Sequence, residues 1–335
     1  MKNKWVKFVA AAVLYGCFAA YLYFPHIRGL KISEYLLILG APAAALGCYV
    51  LSRRWIASFG ASFFAGVIYG FGPFVLWLGR FHPTAILLAA SIPWLFCPAA
   101  FGPDGKWRWV RIPLAALPFA AIVVFFQAAA YFRLFPVPLQ TQLQARDILS
   151  MLAPLVAARR GLIELGFYHV AIAPLVIGFS MVFNARRLGV IAAFGAGLIF
   201  ALCPPILRVG PVTWLTIPMV CCSVIIGAGI QGLVSSGFRD RVWVLSAATL
   251  CAALAITSLL FASKCFQVFA GLADGYGRLL VKTAWLYVLA AGTCAIIFLL
   301  DRTKLRAHWL RQLILFAALA FDIILGARQI VDAVL

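Results

Sequence analysis

Charged residues are scarce in this sequence, and acidic residues are the scarcest. Of the 335 residues, 11% are charged and only nine are Asp or Glu, whereas soluble chains carry about 25% charged residues. Hydrophobic residues make up 65% of the chain, and the mean hydropathy is +1.04. This composition excludes an ordinary soluble domain and indicates that lipid is the main solvent of the chain.

The sequence also lacks the patterns of several other protein classes. No stretch alternates apolar and polar residues as the strands of a transmembrane barrel do. No CxxC pair occurs, and eight of the nine cysteines lie within apolar stretches, which favours packing residues over disulfides or zinc ligands. Walker, HExxH, GxSxG and Rossmann patterns are missing from any supporting context. ATP-driven chemistry and a metal site are therefore not expected, and no cofactor is identified.

Long apolar runs are present instead. Runs of 18 to 24 residues recur along the chain, and a helix needs roughly 20 such residues to cross the hydrocarbon core. The first run follows three lysines, as in a signal peptide, but lacks a small-residue cleavage site, which favours a retained helix. We predict an all-α polytopic transmembrane bundle of about eleven spans, near residues 8–24, 35–51, 58–79, 84–102, 112–132, 166–184, 188–207, 212–234, 242–263, 280–300 and 311–330.

Basic residues predict the orientation of the bundle. Each turn on one side is short and carries at least two Lys or Arg close to a span, as in Arg53-Arg54 and Arg186-Arg187. The positive-inside rule then places the N-terminus inside and the C-terminus outside. Although the formal net charge is +19, the 28 basic residues are scattered and form no basic face, so nucleic acid is not an expected partner.

One long connection interrupts the spans, and it falls on the outer side in this orientation. Residues 133–165 begin with two prolines and continue with apolar residues at near-helical spacing, opposite Arg146, Asp147, Ser150 and Arg159. This pattern predicts an interfacial amphipathic helix that is broken or bent near Pro154. The chain shows no linker and no clear internal repeat, so residues 1–335 are predicted to form a single transmembrane domain.

Ionisable residues within the membrane are costly and are therefore candidates for function. Asp322 is the only acid placed well inside a predicted span. It is either a proton or cation site or a structural partner of a neighbouring helix.

The outer side carries more ionisable groups, and several of them are arginines. Guanidinium groups hold phosphate oxygens in bidentate fashion, which favours an anionic ligand or lipid headgroup. Taken singly, each arginine is more typical of an anchor of its helix end in the headgroup layer, and the set together favours the ligand. The candidate ligand-binding residues are Arg80, Arg159, Arg160, His169 and Arg208.

Two stretches resemble a known family. Residues 65–101 (AGVIYGFGPFVLWLGRFHPTAILLAASIPWLFCPAAF) combine a glycine-rich helix, a His82-Pro83 turn and a helix with Pro93 near its end. Residues 160–233 combine a Gly-containing start, an Arg-Arg turn, Pro204-Pro205 and a closing run of glycines. Both are similar to segments of GT-C-type polytopic glycosyltransferases and the related YfhO-like bacterial membrane proteins.

This resemblance implies transfer of a sugar from a polyprenyl-phosphate carrier at the outer leaflet. In such enzymes an acid of the first outer loop serves as base or metal ligand. Here the first outer loop, residues 25–33, is very short and is followed by a lone Glu34, so either Glu34 has that role or catalysis has been lost. Since transfer to a hydroxyl requires removal of a proton, the candidate catalytic residues are Glu34, His82 and Glu164.

Three functions remain open on the sequence. The first is binding or transfer of sugar from a polyprenyl-phosphate-linked donor at the outer leaflet. The second is a transporter or flippase for an anionic solute or lipid, in which Asp322 couples to an ion. The third is a non-catalytic subunit of a larger membrane complex. Expected partners are membrane lipids with either that donor or protein subunits, and the expected location is the bacterial cytoplasmic (inner) membrane.

Overall fold

The computed structural model describes residues 2–29, 35–81, 85–102, 109–132, 143–144, 147, 149–161, 164–185, 188–235, 241–268, 273–302 and 308–335. The described residues are 88% helical and contain no strand. After α1 (Lys2–Tyr23), a 3-10 helix covers Phe24–Gly29. The other helices are α2 (Tyr35–Ser52), α3 (Phe59–Gly70), α4 (Pro73–Phe81), α5 (Ala85–Phe101), α6 (Arg111–Tyr131), α7 (Leu149–Leu152), α8 (Pro154–Arg160), α9 (Ile172–Asn184), α10 (Leu188–Leu202), α11 (Pro211–Trp214), α12 (Thr216–Ser235), α13 (Arg241–Val268), α14 (Ala273–Arg302) and α15 (His308–Val334).

Eight helical segments of the described chain are long and apolar enough to cross a membrane, which confirms the prediction of an all-α protein with membrane-spanning helices. Three further apolar helices, α5, α9 and α10, have 10 to 17 residues and fall short of that length. They coincide with three of the eleven predicted spans. The count of eleven and the placement of the two termini stay predictions.

The predicted span 58–79 is divided into two helices. Ser58 caps α3 by accepting a hydrogen bond from the Ala61 backbone N–H, and α3 ends at Gly70. Pro73 then begins α4, because a proline lacks the N–H that the interior of a helix requires but fits the first turn.

Residue contacts divide the chain into two compact units. The first comprises residues 1–71, 78–144 and 187–224, and the second comprises 72–77, 145–186 and 225–335. The prediction of a single domain is not tested by this division, and the two units are described separately below.

The first unit is built around α2, which packs against α3 and α5. Glycines allow this close packing, because a Cβ at Gly70 would collide with the backbone of Ala41 and Ala45. The buried Tyr69 hydroxyl donates a hydrogen bond to the Ala89 carbonyl oxygen at 2.7 Å. Small residues and polar contacts such as this one thus hold α2, α3 and α5 together, as is usual where helices associate in lipid.

The second unit is built on a hairpin of α13 and α14, with α9 packed against α13 and with α8 in contact with α14 and α15. At one end of the hairpin, the Asp301 carboxylate accepts hydrogen bonds from Arg241 Nε at 3.1 Å and from Arg311 Nη2 at 3.2 Å. This carboxylate of α14 therefore connects α13 to α15.

The predicted amphipathic segment contains α7 and α8, separated at Ala153, with Pro154 in the first turn of α8. Its exposed face differs from the predicted one. Asp147 and Ser150 are buried, whereas Met151 is 43% exposed. Ser150 is buried because its hydroxyl donates to the Asp147 carbonyl oxygen and accepts from the Leu165 backbone N–H at 2.8 Å. An interfacial location of this segment stays a prediction.

Candidate functional site

The second unit contains a buried pair of ionisable side chains, His169 and Asp322. Both are 0% exposed, and His169 Nδ1 lies 3.0 Å from Asp322 Oδ1. Asp322 lies near the middle of α15, and His169 lies just before α9. The acid that the sequence singled out therefore has a partner 153 residues away along the chain.

The second carboxylate oxygen of Asp322 also has a specific partner. Asp322 Oδ2 accepts a hydrogen bond from the Val170 backbone N–H at 2.6 Å. An ionised carboxylate only accepts hydrogen bonds, so an ionised Asp322 would require the proton of the contact to lie on His169 Nδ1. Nε2 is buried and has no hydrogen-bond partner among the described residues. A buried imidazole with an unpartnered Nε2 is thus held in a fixed orientation.

The backbone around His169 leaves helical geometry before α9 begins. Residues 164–168 form no regular structure and residues 169–171 form a turn, yet all of 164–171 are buried. Buried backbone outside helices needs partners for its N–H and C=O groups from the surrounding protein. Here the Tyr168 ring packs against Gly326 of α15, and the Tyr287 ring meets the His169 ring edge-on at 4.9 Å. These contacts fix the segment against α14 and α15.

Glu164 lies at the start of this segment and is 0% exposed. It follows Arg160 by four residues and precedes His169 by five. Buried carboxylates require compensating interactions, and Glu164 interacts with neighbouring groups of the protein. Of the three predicted catalytic residues, Glu164 alone has a described side chain.

Arg159 and Arg160, at the end of α8, form a cationic cluster with Tyr276 of α14. Their guanidinium carbons lie 5.4 Å and 4.7 Å from the centroid of the Tyr276 ring, within the range of a cation–π contact. The Arg159 guanidinium also packs on Gly275, where a Cβ would be 2.6 Å from Nη1. Both arginines are exposed. We call these three residues the Arg–Tyr cluster.

The Arg–Tyr cluster lies at the positive end of a helix dipole. Gly275 and Tyr276 belong to the first turn of the 30-residue helix α14, and the N-terminus of a helix favours anions and disfavours cations. Arg278 follows in the second turn, and the sequence offers one acid, Asp274, in the first turn. Basic residues therefore outnumber acidic ones at the N-terminal end of α14, which favours the binding of an anion.

The remaining predicted site residues are not brought into this site by the described structure. Glu34 and His82 lie outside the described residues, and only the backbone of Arg80 is described, in α4. Arg208 belongs to the first unit, where it is exposed in a tight turn with φ of 62°. The described residues contain no group of three His, Cys, Asp or Glu side chains that could hold a metal ion.

Sequence reasoning named His169, Asp322 and both arginines of the cluster, but it did not name Tyr276, Tyr287 or Val170. Tyr276 lies in the Asp-Gly-Tyr-Gly sequence before a predicted span, and aromatic residues at span ends are a usual interfacial signal. That signal could have indicated Tyr276. No sequence signal indicates that the backbone of Val170 contacts Asp322.

Comparisons with known protein families, with curated proteins and with solved structures find no match to this chain.

Proposed function

We propose that this chain binds a polyprenyl-phosphate-linked sugar donor at the Arg–Tyr cluster and takes part in sugar transfer at the outer leaflet. The observation that carries the proposal is the contact of two adjacent, exposed arginines with one tyrosine ring. Two guanidinium groups offer ten N–H donors in planar arrays, which suit the oxygens of a phosphate or diphosphate. The GT-C resemblance supplies the class of donor.

The surroundings of the cluster support an anionic ligand. Arginines in contact with an aromatic face keep their N–H edges available for hydrogen bonds. The N-terminus of α14 adds a positive potential at the same place. A lipid-linked phosphate would also keep its hydrocarbon tail in the bilayer beside the helices. A single molecule would thus place its phosphate at the arginines and its tail in lipid.

Transfer would also require a proton acceptor near the reacting hydroxyl. Glu164 and His169 are the described candidates, because both lie within ten residues of Arg160 on one buried segment. Both side chains are buried, whereas both arginines of the Arg–Tyr cluster are exposed to a ligand.

The experiment is a titration of the purified chain in nanodiscs with a polyprenyl phosphate and, in parallel, with the uncharged polyprenol. We expect saturable binding of the phosphate only. Arg159→Gln with Arg160→Gln should weaken it by about a hundredfold or more, since at least two charge-assisted hydrogen bonds are lost and each costs about 1.5–3 kcal/mol. Lys264→Gln is the control, because exposed Lys264 lies at the same end of the α13–α14 hairpin.

Two results would contradict binding at the cluster. One is equal affinity for polyprenyl phosphate and polyprenol. The other is a double arginine variant that binds as tightly as the Lys264→Gln control. Tyr276→Phe should retain binding and Tyr276→Leu should weaken it, because the ring and not the hydroxyl contacts the guanidinium groups.

A second candidate function is ion-coupled movement of an anionic lipid or solute across the membrane. The buried His169–Asp322 pair favours it, because ionisable groups inside spanning helices mark ion and proton paths in many transporters. The test is movement of a fluorescent polyprenyl phosphate across proteoliposome membranes under an imposed proton gradient. Asp322→Asn should abolish the response to the gradient, and movement that ignores the gradient in the unmodified chain would refute this candidate.

A further inference from the structure

The first unit contains a cavity of about 550 Å³ with an almost wholly apolar lining. Alanines from three helices form much of its wall: Ala99 and Ala100 of α5, Ala115 and Ala116 of α6, and Ala192 and Ala193 of α10. All the lining residues belong to the first unit. The cavity is thus a slot between helices that face it largely with alanines.

The lining decides what can occupy the slot. An apolar cavity does not hold water stably, because a buried water needs two to four polar partners. An empty slot of this volume would also be costly, since cavities in packed cores cost about 24 cal/mol per Å³. The cavity is partly open, so hydrocarbon from the surrounding bilayer can enter it.

The volume excludes a further helix as occupant. A helix about 10 Å wide that crosses about 30 Å of hydrocarbon fills roughly 2,400 Å³, several times the volume of the slot. A volume of 550 Å³ is instead typical of a site for one small ligand. A single hydrocarbon chain fits both the size and the chemistry of the wall.

One charged residue, Arg111 at the start of α6, lines the cavity together with Trp55. The Arg111 side chain donates a hydrogen bond from Nη2 to the Gly102 carbonyl oxygen. Trp55 lies in the turn after α2, where Arg53 Nη1 donates to the Ile56 carbonyl oxygen at 3.0 Å. Arginine and tryptophan together are typical of the layer where membrane meets water, so this part of the slot lies where a lipid headgroup would be.

We propose that the slot binds one acyl chain of an anionic phospholipid whose headgroup is held by Arg111. The basic residues of the adjoining turn, Arg53 and Arg54, add positive charge at the same end of the slot. The sequence orientation predicts this end to be cytoplasmic, where anionic lipids give the membrane surface its negative potential. This site is independent of the Arg–Tyr cluster and of the proposed donor.

The experiment is native mass spectrometry of the purified chain after exchange into nanodiscs of phosphatidylcholine with and without phosphatidylglycerol. The unmodified chain should retain one phosphatidylglycerol in preference to phosphatidylcholine. Ala116→Phe should abolish retention, because a ring at this position fills the slot. Ala120→Phe is the matched control, since Ala120 is an exposed residue one turn further along α6 and does not line the cavity.

Arg111→Gln tests the contribution of the lipid headgroup apart from that of the acyl chain. It should reduce the preference for phosphatidylglycerol by about fivefold while a lipid is still retained, because one basic residue near the surface contributes about 1 kcal/mol toward an anionic lipid. Retention unchanged in Ala116→Phe, equal retention of both lipids by the unmodified chain, or a second copy of the chain in place of lipid would each overturn the proposal.

Discussion

Gly326 of α15 faces the ring of Tyr168 so closely that a Cβ at this glycine would lie 2.5 Å from Tyr168 Cε1. Gly326 follows Asp322 by one helical turn, and Tyr168 precedes His169 directly. Two successive turns of α15 therefore contact two successive residues of the buried segment. The absence of a side chain at Gly326 is what allows Asp322 to come within hydrogen-bonding distance of His169.

Gly326→Ala should destabilise the protein. The added methyl group would displace the Tyr168 ring, and overpacking of a filled core costs about 1–3 kcal/mol. The control is Gly292→Ala in α14, where a Cβ would meet nothing within 4 Å. The unfolding temperature of each variant is measured in detergent. A Gly326→Ala variant as stable as Gly292→Ala would contradict the close contact between Gly326 and the Tyr168 ring.

Asp322→Leu should be more damaging than Asp322→Asn. Leucine leaves the Val170 N–H and His169 Nδ1 without their buried acceptor, and each buried donor that is left unpaired costs about 1–3 kcal/mol. Asparagine keeps one oxygen that can still accept from Val170. Asp332→Asn, at an exposed acid of the same helix, should change the unfolding temperature little, and equal stability of all three variants would refute a structural role of the pair.

Gly229→Ala should prevent the α9–α12 contact from forming. A Cβ at Gly229 would collide with the Pro174 carbonyl group, and backbone atoms cannot rotate away as a side chain does. We expect loss of a monodisperse peak in size-exclusion chromatography. At Gly195 of α10 an added Cβ would have no atom within 4 Å, so the Gly195→Ala protein should elute normally. A well-behaved Gly229→Ala protein would mean that these helices lie further apart.

Asp301→Asn should weaken the connection between α13, α14 and α15. The carboxylate accepts from both Arg241 and Arg311, and hydrogen bonds to charged groups contribute about 1.5–3 kcal/mol. A double-mutant cycle with Arg241→Gln measures the coupling through denaturant unfolding. Additive losses in the single and double variants would show that the two side chains do not interact.

The C-terminus is predicted to lie outside. A green fluorescent protein fused after Leu335 should then remain dark and an alkaline phosphatase fusion should be active, because the two reporters fold on opposite sides of a bacterial inner membrane. The reverse pair of results would place the C-terminus inside and change the predicted number of spans to an even value.

Hydropathy was sufficient to predict an all-α chain with helices long and apolar enough to cross a membrane, because in lipid a spanning segment must be apolar and must satisfy its own backbone hydrogen bonds. It did not reveal the division at Phe71, although Gly70 and Pro73 carry the signal for it. The buried positions of Asp147 and Ser150 were missed because near-helical spacing was extended over a segment that is not one helix. The His169–Asp322 contact joins positions 153 residues apart, and no local pattern encodes such a distance.

The hydrogen bond from the Val170 backbone to Asp322 has a consequence for the order in which the protein is made. Ala171, the residue before α9, provides no side-chain cap, and the nearby Val170 N–H is satisfied by a carboxylate that lies 152 residues later in the sequence. A ribosome completes α9 long before it reaches α15. The segment just before α9 therefore lacks this hydrogen bond throughout the synthesis and insertion of the helices between them, and the bond forms only when the last helix arrives.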